Sequence, residues 1–315
     1  MVFAICKLIS SQSQEQITVM VASAEKREVV VNLYRPNAPL IGHCVETYSI
    51  VGEGAPGLTK HIVLSLPDPN YRYLEGQSVG IIPPGEDAKG KPHKPRLYSI
   101  ASTRFGDDGE GRTVSLSVKR AEYVDKETGQ PGVGVCSGFL TDLKAGDEVM
   151  ITGPSGKTFL LPEDENANLI LIATGTGIAP FRAFIKHLFE EDPNYQGKIW
   201  LFFGVPTTST LLYHGDLEAW KAQYGDRFRV DYAISREQQT PDGKKMYVQN
   251  RMAEYGAELW EMLQQPNTYT YICGLKGMED GINNVMGPLA EQAGQDWSKF
   301  QKELKKADRW HEETY

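Results

Sequence analysis

The sequence is poor in cysteine, with only Cys6, Cys44, Cys136 and Cys273 in 315 residues. None stands in a C-x-x-C pair, which argues against zinc and iron–sulfur ligation. Their wide spacing argues against a disulfide framework and favours a reducing compartment. Histidine is scarce too, six in all, with no H-E-x-x-H and no ligand spacing, so no metal is expected. No apolar run approaches the ~20 residues that span a bilayer. Positive charge is in deficit, 33 Lys and Arg against 41 Asp and Glu, a net charge of −8. That balance argues against nucleic acid as the main partner. The apolar start, Met1 to Ile9, lacks the leading charge and small-residue cleavage site of a secretory signal. Ser10 to Gln16 reads as a polar linker, and Glu15 weakens a transit-peptide reading. Residues 1–33 are therefore set apart as an N-terminal extension without an assigned role.

What is present is enough chain for two domains of ordinary size. From Pro39 to Pro162 the texture is strand and turn. Candidate strands are 43–51, 61–66, 78–82, 97–102, 113–120 and 148–152, separated by Gly/Pro/Asp clusters. Short strands at this spacing predict a closed antiparallel β-barrel. One helical piece, 136–143, follows Gly132 and Gly134, so its free amides can meet an anion. Gly153-Pro-Ser-Gly-Lys-Thr158 resembles the tail of a P-loop, but the pattern needs glycine at 151, which is isoleucine. It is assigned to a hairpin turn. After Pro162, apolar runs alternate with helical segments: 169–173 then 179–191, 198–203 then 215–224, 228–234 then 248–263, and 269–273 then 277–292. Such alternation predicts an α/β, doubly wound parallel sheet. The expected division is 34–162 for the barrel and 163–315 for the α/β domain.

Four stretches carry chemistry. In Arg96-Leu-Tyr-Ser-Ile-Ala-Ser102, Arg96, Tyr98 and Ser99 are expected to share one face of an extended segment. They would offer a cation for a diphosphate, a ring for stacking and a hydroxyl. In Ile170-Leu-Ile-Ala-Thr-Gly-Thr-Gly-Ile-Ala-Pro180, Thr174, Gly175 and Gly177 join an apolar strand to a helix start, and Pro180 suits the first turn. Such a turn lets a diphosphate approach backbone amides. The third glycine of G-x-G-x-x-G is replaced by Pro180. Ser235 and Arg236 close the strand at 228–234, with Lys245 and Tyr247 about ten residues on. Two cations, a hydroxyl and a ring suit an adenine ribose bearing a 2′-phosphate, and no acidic residue stands there for a free 2′-hydroxyl. Cys273-Gly274-Leu275 ends the last predicted strand at the same edge.

Taken in order with Gly134-Val-Cys-Ser137 and the terminal Trp310-His-Glu-Glu-Thr-Tyr315, these motifs resemble plant- and cyanobacterial-type ferredoxin–NADP reductases over residues 34–315. The resemblance implies an FAD-binding barrel followed by an NADP-binding domain. It implies that Arg96, Leu97, Tyr98 and Ser99 contact FAD. Ser117, Val118 and Lys119 would flank its adenosine portion, with Lys119 also able to reach NADP. Tyr123 would stack on the adenine, and Val135, Cys136 and Ser137 would meet the phosphates. Thr174 would lie by the flavin and nicotinamide. Ser235, Arg236, Lys245 and Tyr247 would hold 2′-phospho-adenosine, with Gly274 and Leu275 guiding NADP. Ser99, Cys273, Glu313 and Tyr315 would form the active centre, Tyr315 covering the flavin. FAD would collect single electrons from two reduced ferredoxins and a hydride would pass to NADP+. Arg35, Lys91, Lys94, Lys276, Lys302, Lys305 and Lys306 would dock ferredoxin, with flavodoxin as a further partner. A monomer, peripheral on the cytoplasmic side of a cyanobacterial thylakoid or in a chloroplast stroma, is expected. Two departures stand out. Glu312 replaces the usual valine and could perturb Glu313, and Pro95 stands where some relatives carry leucine. The competing readings are an NADH-dependent flavoprotein reductase and a flavin-loaded docking module without turnover.

Overall fold

In a computed structural model of the chain, the described residues are 28–126 and 128–315. Most of the extension set apart at 1–33 lies outside them. Within the compact unit Val31–Tyr315, two sheets account for the architecture.

The first is built from β1 (Leu40–Ser49), β2 (Thr59–Ser65), β3 (Ser78–Ile82), β4 (Arg96–Ser99), β5 (Thr113–Lys119) and β8 (Glu148–Ser155). It is antiparallel, in the order β4-β3-β8-β1-β2-β5. The Ile100–Leu116 bridge brings its two edges together into a barrel. Its interior follows the period of two: Val114, Leu116 and Val118 of β5 enter the core, as the pleat requires. The intervening Thr113, Ser115 and Ser117 are also buried. A polar outward face that is nevertheless dry means that another layer covers it.

A hairpin that the sequence reading missed, β6 (Glu122–Val124) with β7 (Pro131–Val133), leaves the barrel after β5 and feeds α1 (Val135–Asp142). The expected turn at 153–158 is corrected. Gly153 exchanges both backbone hydrogen bonds with Tyr34 at 2.9 and 3.0 Å, and Ser155 pairs with Ser78. The glycine is thus held inside β8, and no antiparallel strand follows it.

The second sheet is parallel throughout, in the order β11-β10-β9-β12-β13. Its strands are β9 (Asn168–Thr174), β10 (Ile199–Val205), β11 (Phe228–Ile234), β12 (Thr268–Gly274) and β13 (Trp310–Thr314). They read as almost unbroken apolar runs because both faces are covered. Leu169, Leu171 and Ala173 enter one core, and Ile170 and Ile172 the other. The covering helices are α2 (Ile178–Lys186), α3 (His214–Tyr224), α4 (Val248–Glu254), α5 (Gly256–Gln264), α6 (Met278–Gln292) and α7 (Trp297–Lys306). The helix expected at 248–263 is broken at Tyr255, which ends α4 and precedes α5. Four parallel strands were expected; the terminal WHEET supplies a fifth, with Cys273 opposite Glu313.

The two sheets meet across a polar seam. Asp107 accepts from Arg182 at 3.2 Å and lies 2.9 Å from His61 Nε2. His61 Nδ1 is 2.8 Å from the phenol of Tyr213. Arg182 also donates to the Ala101 carbonyl at 2.8 Å. Beside it, Glu75 is held by the guanidinium of Arg104, and Thr103 donates to Glu191 at 2.6 Å. Burial works to raise Asp107, but the His61 hydrogen bond and the Arg182 charge outweigh it and hold the carboxyl well below its usual range.

Candidate functional site

A cleft of about 1380 Å³ runs along the edge where β4 faces the carboxyl ends of β9, β10 and β12. That exceeds the ~300–1,000 Å³ of a typical single-ligand site. It also coincides with the switch point of the parallel sheet, since the chain leaves β9 for β10 on one side and places β12 on the other. Five exposed large apolar side chains gather at its walls: Leu97, Val135, Tyr247, Leu275 and Tyr315. Such an exposed apolar surface marks a place to be covered by a ligand.

At the barrel end, β4 pairs with β3 from Ser78–Ser99 to Ile81–Arg96. Arg96 and Tyr98 share a face, as expected. Ser99 does not, because it follows Tyr98 directly and leaves the strand on the opposite side. Tyr98 packs against the barrel core and hydrogen-bonds Cys136, and its phenol is pushed up by burial and by that thiol. Ser99 instead hydrogen-bonds Cys273 across the cleft. Both reach the cleft because β4 forms its rim. Val118, 1% exposed, turns its side chain into the barrel core, so only its backbone can serve a ligand. Ser117 and Lys119 line the wall.

Tyr123, on the β6–β7 hairpin, is exposed and does not line the cleft, which Glu122 beside it does. A Cβ on Gly132 would lie 2.6 Å from the Tyr123 ring, so the ring packs against its cross-strand glycine. The loop then tightens into α1. Ala121 N donates to Ser137 Oγ at 3.1 Å, and that hydroxyl donates to Gly134 O at 3.2 Å. Ser137 thus braces the loop with its side chain, leaving its amide for a ligand. The helix start carries no side-chain cap and no acidic residue in its first turn. Its amides, with Arg96 and Lys119 in no ion pair among the described residues, fit a diphosphate.

In the middle, the turn Gly175–Gly177 packs directly on β12. A Cβ on Gly177 would lie 2.1 Å from the Cys273 carbonyl, so only glycine admits this approach. Thr174 Oγ1 accepts from Leu275 N at 3.0 Å. Parallel pairing sets Glu313 beside Cys273. Burial pushes the Glu313 carboxyl up to about 7. Burial, reinforced by the Glu313 charge, pushes the Cys273 thiol up to about 12. The perturbation expected from Glu312 is absent. Glu312 leaves the opposite face of β13, accepting from Trp310 Nε1 at 2.6 Å and Lys305 Nζ at 2.7 Å.

Tyr315 ends the chain in this middle section, anchored by Tyr315 N to Gly274 O at 3.0 Å and Lys276 N to Tyr315 O at 3.1 Å. The residue is 56% exposed, while its hydroxyl is 2.5 Å from Thr176 Oγ1. Two residues here escaped sequence reading: Thr176, and Glu279, which accepts from Thr314 at 2.5 Å. The position of Thr176 between two glycines was a usable signal. Nothing in the sequence pointed to Glu279.

At the far end, Ser235 and Tyr247 line the wall, while Arg236 and Lys245 are exposed beside it and form no ion pair among the described residues. Of the expected docking cations, Arg35, Lys91, Lys94, Lys276, Lys302 and Lys306 are exposed, and of these Lys94 and Lys276 line the cleft. Lys305 differs, being paired with Glu312. Glu75, His187 and Glu191 come within 4.8 Å of one another as ligand-type groups, but Arg104 and Thr103 already hold the two carboxylates.

Residues 171–284 match the oxidoreductase NAD-binding domain family. The chain is 57% identical over 298 residues to the cyanelle ferredoxin–NADP reductase of Cyanophora paradoxa, covering 94% of this chain and 82% of that one. It is 52% identical over 307 residues to the ferredoxin–NADP reductase of Synechocystis, covering 96% and 74%. Among solved structures, the Plasmodium falciparum ferredoxin–NADP+ reductase with 2′P-AMP superposes with a TM-score of 0.72 at 30% identity, covering 90% of this chain and 99% of that one.

Proposed function

The chain belongs to the ferredoxin–NADP reductase family, and from that premise we propose that its cleft holds FAD at the barrel end and NADP(H) along the carboxyl edge of the parallel sheet. The protein is an oxidoreductase that exchanges electrons between ferredoxin and NADP(H). When bound, FAD supplies the link between one-electron exchange and two-electron hydride transfer.

The chain's own residues divide the work. Arg96, Lys119 and the first amides of α1 neutralise the FAD diphosphate, and Tyr98 offers the ring a stacking surface. Tyr123 takes the adenine. Ser235, Arg236, Lys245 and Tyr247 hold the 2′-phospho-adenosine, and the 2′P-AMP of the Plasmodium relative supports that assignment. Gly175, Gly177, Gly274 and Leu275 bring backbone to the dinucleotide. Ser99, Cys273 and Glu313 shape the reacting centre, and Tyr315 excludes water from it. A carboxyl near 7 can hold or release a proton at neutral pH, while a thiol near 12 stays protonated and packs. We place the functional division near Pro162, although Phe159 and Leu161 already pack beneath the parallel sheet.

Ferredoxin docks over the Lys94 and Lys276 rim, and flavodoxin would use the same cations. Among the described residues no helix is long and apolar enough to cross a membrane. The cyanobacterial and chloroplastic origins of the relatives support a place at the thylakoid, peripheral on its cytoplasmic or stromal side, and we read the protein there as a monomer.

The observation that carries the reading is the convergence of Ser99 from the barrel with Cys273 and Glu313 from the parallel sheet, beneath the terminal tyrosine. The test is turnover of the FAD-loaded protein with NADPH and NADH against ferricyanide. Neutralising Arg236 or Lys245 should lower kcat/KM for NADPH by about ten- to a hundredfold each, the size of a lost charge-assisted hydrogen bond, with little change for NADH. Equal use of both nucleotides by the wild type would favour the NADH-dependent alternative.

A further inference from the structure

Thr174, at the end of β9, is held from both neighbouring strands. A Cβ on Gly204 of β10 would lie 3.2 Å from its Cγ2, and a Cβ on Gly274 of β12 would lie 2.1 Å from its Oγ1. The two arms of the side chain thus fill the spaces that these glycines leave. A β-branched side chain is also stiff about χ1. The heavy atoms are therefore fixed, and only the hydroxyl proton can turn.

A hydroxyl has one proton to give and two positions at which to accept. Leu275 N donates to Thr174 Oγ1 at 3.0 Å and fills one acceptor position. Oγ1 in turn donates to Met278 Sδ at 3.6 Å. The sulfur reaches it because the chain turns back at Gly277, at a φ of 88°, and Met278 opens α6. Met278 is buried and lines the same cleft as Thr174. With its proton on the sulfur and one acceptor position filled, Thr174 has a lone pair left for the cleft.

We propose that Met278 is a positioning residue whose sulfur takes the Thr174 proton, so that the hydroxyl meets the cleft as an acceptor and selects the amide N–H of a nicotinamide carboxamide. The inference rests on the NADP(H) reading above and adds to it what Thr174 recognises. A carboxamide offers both an N–H donor and a carbonyl acceptor, and only the N–H can meet a lone pair. Were the proton free to turn, the same hydroxyl could serve either group and would distinguish them poorly.

The test is oxidation of NADPH and of its 3-acetylpyridine analogue by the FAD-loaded protein, with ferricyanide as acceptor. The analogue keeps the carbonyl and carries a methyl in place of the amide nitrogen. The quantity read is the ratio of kcat/KM for NADPH to that for the analogue, compared between variants so that the intrinsic reactivities of the two substrates cancel. Met278→Leu removes the sulfur at nearly constant volume. The freed proton can then meet the analogue's carbonyl, and the ratio should fall about two- to threefold, the low end for a neutral hydrogen bond because a thioether is a weak acceptor. T174V, which lacks the hydroxyl, should lower the ratio at least as far, and T174S, which keeps it, should hold the wild-type ratio. If M278L slows both substrates equally, Met278 only packs and the proposal is overturned. T174V with the wild-type ratio, or T174S without it, would overturn the reading of the amide by the hydroxyl. If M278L does not retain FAD, norleucine in place of methionine makes the same exchange of sulfur for methylene; it should lower the ratio in the wild type and leave it unmoved in T174V. Failure of the wild type to retain FAD or to oxidise NADPH would instead remove the underlying reading.

Discussion

The seam between the sheets and the cleft along their edge are both rich in charge, and they treat it in opposite ways. At the seam every buried charge has a partner. Asp107 faces His61 and Arg182, and Glu75 faces Arg104. In the cleft, Arg96 and Lys119 form no ion pair among the described residues, and Glu313 is raised by burial alone. Burying a charge is costly unless it is paired. The seam meets that requirement within the chain, so its charges read as structure. In the cleft, Arg96 and Lys119 are exposed and bear no such cost, so they stay free to meet an anion from outside and read as a site.

The comparison breaks first, and hardest, at the seam. Asp107→Asn should destabilise the FAD-loaded protein by about 3–5 kcal/mol, because it removes the buried carboxylate shared by Arg182 and His61 and leaves Arg182 only the longer carboxylate contact, to the half-exposed Asp216 at 3.5 Å. Denaturant unfolding reads this, and turnover per folded molecule should be unchanged. Since the Asp107 carboxyl is depressed in the fold, its stabilising contribution is present above the usual carboxylate range and is lost as pH falls through the folded value. A loss below 1 kcal/mol would mean that the seam is not organised by charge.

Glu313→Gln is the counterpart in the cleft. Turnover should drop about a hundredfold, the lower range for a general acid or base, and the limb of the pH–rate profile near 7 should vanish. The stability consequence has the opposite sign to that at the seam. A carboxyl raised from 4.5 to about 7 holds more protons folded than unfolded between those values. Wild-type stability should therefore fall, relative to the variant, as pH rises through that window. A rate unchanged by the substitution would make Glu313 a packing residue.

The sequence exposed the cleft far better than the seam. A glycine turn after an apolar strand, and a serine and arginine at a strand's end, are local patterns with local physical causes. Cys273 and Glu313 came together only through the family resemblance, because their meeting depends on β13 pairing beside β12, and WHEET is too short and polar to announce a buried parallel strand. The β6–β7 hairpin was hidden for a similar reason: two three-residue strands are below what periodicity can resolve. The seam was invisible. Thr113, Ser115 and Ser117 alternate with apolar residues as a solvent-facing strand would, and only the layer across them makes that face dry. The error at Ser99 was one of parity, since adjacent strand residues leave on opposite faces.

Rim cations carry the same contrast to the surface. Lys94→Glu should slow reduction by ferredoxin severalfold to tenfold at low ionic strength, with the difference shrinking as salt is added, while NADPH–ferricyanide turnover stays nearly intact. Equal loss of both activities would remove Lys94 from the docking surface.

The smallest effect is expected at Lys305, the one docking candidate held in an ion pair among the described residues. Its ammonium lies 2.7 Å from Glu312, whose other oxygen is held by Trp310. Pairing with an internal carboxylate cancels most of the field that a lysine would present to an acidic partner, so Lys305→Ala should change ferredoxin kinetics less than twofold at a salt concentration where Lys94→Glu is plainly slow. The pair is partly solvated, and such pairs contribute about 0–1 kcal/mol, so stability should barely move either. The informative variant is Glu312→Gln. It frees Lys305 without touching the exposed Lys302 and Lys306, and ferredoxin should then react slightly faster. If Lys305→Ala instead slows ferredoxin as much as Lys94→Glu does, pairing within the chain does not withdraw a cation from docking, and the distinction between engaged and available charge fails at the surface.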